Sequence, residues 1–190
     1  MIFIQNKSQS TDLFDKYIAL NKQKLSIWKD ETLFTWQWWF GVCLIVLFVF
    51  IWIKFRKKDS SNRLLYVGFF VAIICSMLDA IGNFLGLWDY HYEVLPFAPS
   101  YVPRSLILLP ILVMFFLQIK PHVHPVLKAL LYAVVTAFIA LPFLKWIDIY
   151  KPVHWHYIYS FFIQFFIYLG AHVLSRKTHF SSLLSEKKDT

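Results

Sequence analysis

Asp79, Asn83, Trp88, Asp89, Tyr90 and Arg104 are the residues of this 190-residue chain whose types and spacing suit a polar site. Asp79 lies inside an apolar run and four positions before Asn83, so the two share one helix face. A carboxylate near the centre of a membrane span costs about 2.5–3.5 kcal/mol on insertion scales and normally faces the bundle interior with a partner. Arg104 opens the next apolar run just behind Pro103, and its long side chain can descend toward Asp79 from the same face. The expected arrangement is an Asp79–Arg104 pair, with Asn83 completing the carboxylate's hydrogen bonds. Trp88 and Tyr90 close the outer side, and Asp89 stands between them in sequence.

A second constellation is His91, His154 and His156, near Asp89, Glu93 and Asp148. Three histidines with carboxylates suit zinc only if they converge. His154 and His156 are two apart and do not share a helix face, so they would chelate together only from non-helical backbone. They read instead as interfacial histidines beside Trp155 and Tyr157, with no metal and no cofactor. The chain has no Ser/His/Asp spacing, no Cys/His nucleophile arrangement, no glycine-rich phosphate loop and no CxxC, so nothing specific supports catalysis. Gln118, Thr136, Gln164 and His172 are single polar residues in apolar runs, suited to interhelical hydrogen bonds. Cys43 and Cys75 lie in apolar runs as packing residues.

The elements that must position these residues follow from composition. With 58% hydrophobic and 20% aromatic residues, the chain carries more apolar surface than a soluble core of this size can bury. A membrane span needs about 20 mostly apolar residues. Five runs approach this: Trp36 to Ile53, Leu64 to Phe84, Pro103 to Ile119, Val126 to Trp146 and Trp155 to Leu174. They lack the dyad alternation of a membrane barrel. The fold expected is therefore all-α, a polytopic integral membrane bundle of five transmembrane helices plus an N-terminal amphipathic helix. Residues 1–35 form the amphipathic segment, 36–175 the bundle and 176–190 a polar basic tail. The first 35 residues lack the pattern of a signal peptide. Ser10 or Thr11 suits a helix cap ahead of Leu13, Phe14, Tyr17, Ile18 and Leu25, which recur at helical spacing on a membrane-surface helix. Trp36, Trp38 and Trp39 mark the interface. Pro110 and Pro142 are expected to bend their spans, and Gly82 and Gly86 to admit another backbone.

Charge sets the orientation. The link "KFRKKDSSNR" and the basic tail belong in the cytoplasm. Five crossings of the cell membrane then leave the amino terminus, and the whole of Trp88 to Val102, outside. The net charge of +8 needs no nucleic acid, because basic loops facing anionic lipid account for it.

The stretch from "RLLYVGFF" through "LDAIGNFLGLWDYHYEVLPFAPSYVPRS", with the later "WIDIYKPVHWHYIYSFFIQF", resembles an uncharacterised family of small multi-pass membrane proteins of Gram-positive, spore-forming bacteria. The shared features are a basic residue with Leu-Leu opening the second span, a late acid, Trp-x-Tyr, a Pro-rich crossing and an aromatic final span. They cover about residues 36 to 174, and the resemblance implies location and topology without an activity. A weaker likeness is to membrane lycopene-cyclase domains. Those carry Pro-Glu-Glu acids where this chain has Pro103-Arg104-Ser105, a departure that removes the proton donor. The reading that results is a non-enzymatic membrane protein that binds a protein partner or a lipid at its outer polar and aromatic face. The alternatives are a transporter or channel component, and an enzyme acting on a lipid or isoprenoid at the outer leaflet.

Overall fold

A computed structural model describes residues 2–98 and 100–176, with the backbone alone for residues 2–8. The chain is an all-α bundle with a small ribbon at one end. Helix α1 is Ile2–Ile27, α2 Trp36–Phe55, α3 Ser61–Phe84, α4 Pro103–Gln118, α5 Pro125–Trp146 and α6 Tyr157–Ser175. Among the described residues, four helical stretches are long and apolar enough to cross a membrane: α2, Lys58–Phe84 (α3 with the short turn before it), α5 and α6; α4 is shorter. The third of the five expected runs, Pro103 to Ile119, is the shorter apolar helix α4.

Four of these helices converge on one core. Val67, Val71 and Cys75 of α3 meet Leu109 and Val113 of α4, Ala129 and Tyr132 of α5, and Ile167, Tyr168 and Ala171 of α6. Helix α2 is peripheral and is fastened by Trp52, which packs with Leu64, Ile111 and Met114. Large apolar side chains such as Phe69, Ile73 and Phe166 point outward, the pattern of a surface made for lipid rather than water.

Prolines shape two of the helices. Pro110 and Pro142 lack the N–H that would bond the carbonyl four residues earlier, and their rings crowd it. Just ahead of each, Pro103–Leu108 and Val135–Ala140 are wound as wider π-helix.

At one end of the bundle the chain adds strands absent from the sequence reading, β1 (Trp88–Tyr90) and β2 (Tyr150–Pro152). They are antiparallel, with Trp88 opposite Pro152, Asp89 opposite Lys151 and Tyr90 opposite Tyr150. The ribbon brings the end of α3 and the end of α5 to the same side. At the far end, the Gln118 amide of α4 donates to Phe55 O (3.2 Å) and accepts from Lys57 N–H (3.2 Å). Helix α4 therefore runs from the ribbon end to the opposite one.

Helix α1 begins at Ile2, so Ser10 and Thr11 lie inside it and neither caps it. Its residues from Gln9 to Ile27 are exposed. It is tied to the bundle near its end, where Lys24 Nζ pairs with Glu93 Oε2 at 2.7 Å and Trp28 Nε1 donates to Glu93 O at 2.7 Å.

Candidate functional site

The Asp79 carboxylate, 2% exposed, is the centre of the ribbon end. Its Oδ1 accepts from Trp88 Nε1 (3.0 Å) and Tyr90 Oη (2.7 Å), and its Oδ2 from Tyr101 N–H (3.2 Å) and Ser105 Oγ (2.6 Å). Two carboxylate oxygens offer about four lone-pair positions, and here all are used. Arg104 Nη1 lies 3.6 Å from Oδ1, close enough for an ion pair but long for a hydrogen bond. Arg104 instead donates to Tyr90 Oη at 3.3 Å, so the tyrosine hydroxyl relays between the two charges.

The backbone explains how these groups meet. Helix α3 stops in a Schellman turn: Gly86 takes φ of 67°, its N–H donates to Asn83 O, and Leu87 N–H donates to Gly82 O. This reversal lays the Trp88 indole back over the last turn of α3. Gly82 lies three residues after Asp79 on the same face, and the Trp88 ring fills the space that a side chain there would take. The slot aims the indole N–H at the acid. Gly82 thus admits a side chain where the sequence reading expected a backbone. From the other side, Arg104 and Ser105 arrive on the wide opening turn of α4, and both donate their backbone N–H to Tyr101 O just ahead of it.

Aromatic rings complete a cap. Tyr90 stacks on Tyr101 with centroids 5.2 Å apart, and Trp88 meets Trp155 edge-on at 4.7 Å. Leu141, Leu144, Ile149 and Tyr150 close the apolar side. Burial first, and then the Asp79 charge, push the Tyr90 phenol well above its usual range, which keeps its proton available as a donor. Burial likewise raises Tyr101 and Tyr150. At the edge of the cap, burial raises the Glu93 carboxyl while Lys24 opposes the shift.

Of the residues singled out in the sequence, Asp79, Trp88, Tyr90 and Arg104 come together. Asn83 does not reach Asp79. The turn after α3 directs its Nδ2 to Trp88 O (3.4 Å) and Asp89 Oδ1 (3.5 Å). Asp89 is exposed and also accepts from Tyr90 N–H (2.8 Å), so both steady the ribbon from outside. Trp88 and Tyr90 bond the carboxylate itself in addition to covering it. Ser105 and the Tyr101 N–H went unnoticed in the sequence. The signal for Ser105 was its place directly after Arg104 at the start of an apolar run. The histidines part company: His91 Nδ1 is 3.5 Å from Asp148, His154 N–H donates to Leu87 O, and the His156 ring stands against Tyr159. No three of His, Cys, Asp and Glu gather in metal-binding geometry among the described residues.

Below the acid is a cavity of about 40 Å³, bordered by Cys75, Arg104, Tyr150, Trp155, Ser160 and Gln164. It has room for about three waters and is far below the several hundred Å³ of a usual ligand pocket. With two hydrogen bonds to each oxygen, the Asp79 carboxylate is fully partnered by the protein. A larger groove, about 440 Å³, lies between α1 and the cap, where Tyr17, Asn21, Lys24 and Leu25 face Asn83 and Phe97.

The chain matches no protein-family model, no curated protein and no solved structure.

Proposed function

We propose that this protein is a non-enzymatic membrane protein that binds lipid in the groove between α1 and the Asp79-pinned cap. The observation that carries this reading is the groove itself. It is large enough for part of a lipid and mixes apolar Tyr17, Leu25 and Phe97 with polar Asn21, Lys24 and Asn83. Phe97 is 81% exposed at its mouth, which suits the interface between water and acyl chains. The saturated carboxylate and the small cavity beneath it favour binding over catalysis or transport.

In this reading the bundle crosses the cell membrane five times, with the amino terminus and the cap outside and the carboxyl terminus in the cytoplasm. Support comes from the passage of α4 between opposite ends of the bundle and from the basic residues around Lys54 to Arg63. An alkaline-phosphatase fusion after Val94 should be active and one after Asn62 inactive; the reverse pattern overturns the orientation. For the groove, protein purified in mild detergent should carry copurified lipid by native mass spectrometry, and Leu25→Ser with Phe97→Ser should lower its amount. Unchanged lipid in a folded double variant would overturn the groove reading.

A further inference from the structure

The end of the bundle away from the cap holds a basic opening of about 400 Å³. Lys57, Ser60 and Arg63 border it before and at the start of α3, Lys128 on α5, and Ser175 and Arg176 at the end of α6. No carboxylate lines it, and among the described residues none of these four cations has an acidic partner. Lys128 is 9% exposed, and its Nζ donates to Phe116 O (2.9 Å) and Ile119 O (2.6 Å). That fixes one positive charge at the wall of the opening. Arg63 and Arg176 are exposed around it. Each is a planar guanidinium with donors suited to paired phosphate oxygens. The Ser60 and Ser175 hydroxyls add polar groups beside them.

We propose that this opening binds the phosphate headgroup of an anionic phospholipid from the adjoining leaflet. Two features favour a lipid over free phosphate. The opening lies where apolar helices end, and Leu64 and Leu117 form part of its lining. On the same helices, exposed Phe69, Ile73 and Val173 offer surface for acyl chains. The phosphate sits between Arg63 and Arg176, with Lys128 supplying background charge that is already held by the protein. The site is independent of the groove beside α1 and lies at the opposite end of the bundle.

The test uses the full chain, stripped of lipid in neutral detergent and titrated with phosphatidylglycerol or phosphatidylcholine under native mass spectrometry. Phosphatidylglycerol should bind at least about tenfold more tightly. Arg63→Gln with Arg176→Gln should weaken it about thirtyfold, the effect of removing two interfacial cations. Arg63→Lys with Arg176→Lys should keep most of the binding, and Lys22→Gln with Lys151→Gln, at the other end, should keep all of it. The melting temperature of each variant checks that it is folded. Equal binding of the two lipids, or a folded Gln pair that binds phosphatidylglycerol normally, overturns the proposal. Inorganic phosphate in large excess should leave phosphatidylglycerol bound; if it displaces the lipid, free phosphate is the ligand and the lipid assignment is wrong.

Discussion

At the cap end, a carboxylate 2% exposed accepts four hydrogen bonds and lies beside an arginine, whereas at the other end Arg63 and Arg176 stand exposed with no acid against them among the described residues. Both ends carry charge on helices that are otherwise apolar. Asp79 lies a full turn inside α3, away from bulk water, and the protein supplies four hydrogen-bond partners to it. Arg63 and Arg176 sit exposed at helix ends, where the surroundings can take that role. Position along the helix therefore separates charge that fixes the fold from charge left open to a ligand.

Substitutions can break this comparison. Asp79→Ala should have the largest effect: it leaves Arg104 buried without its counter-charge and frees four donors, at a cost of about 3–5 kcal/mol. Thermal unfolding in detergent would show this as a large fall in melting temperature. Gly82→Ala should cost about 1–3 kcal/mol, because the new methyl occupies the Trp88 slot and draws the indole N–H off Asp79. Lys128→Met should cost about 1–2 kcal/mol by uncapping the last carbonyls of α4, measurable in the same assay. The Arg63→Gln and Arg176→Gln pair should change stability by less than about 0.5 kcal/mol, as expected for exposed charges. A large loss from that pair would mean that the basic end is pinned like the cap, and the contrast between the ends would fail.

Much of the bundle was legible because hydrophobic run length is a direct physical requirement of the bilayer. Asp79 and Arg104 were legible for the same reason, as costly residues inside or at the edge of such runs. Asn83 was misassigned because helix periodicity places it on the face of Asp79 but does not reveal that α3 ends one residue later, at Phe84. The Schellman turn at Gly86 then redirects its amide to Trp88 and Asp89. Gly82 was read as a site of backbone approach, since sequence spacing gives no hint that an indole returns over it. Ser105 is a small hydroxyl in an apolar run, and its partner lies 26 residues earlier. The β1–β2 ribbon is three residues on each strand, too short to display alternation, and its pairing depends on where α3 and α5 end.

Asp79 and Arg104, 3.6 Å apart and bridged by the Tyr90 hydroxyl, are expected to act as one unit that pins the cap. A double-mutant cycle of Asp79→Asn and Arg104→Gln, followed by thermal unfolding in detergent, tests it most directly. Each single change should lower the melting temperature, and the double change should cost clearly less than the sum, because it removes both charges and leaves neither stranded. Losses that simply add would show the two residues to be uncoupled and would contradict the account.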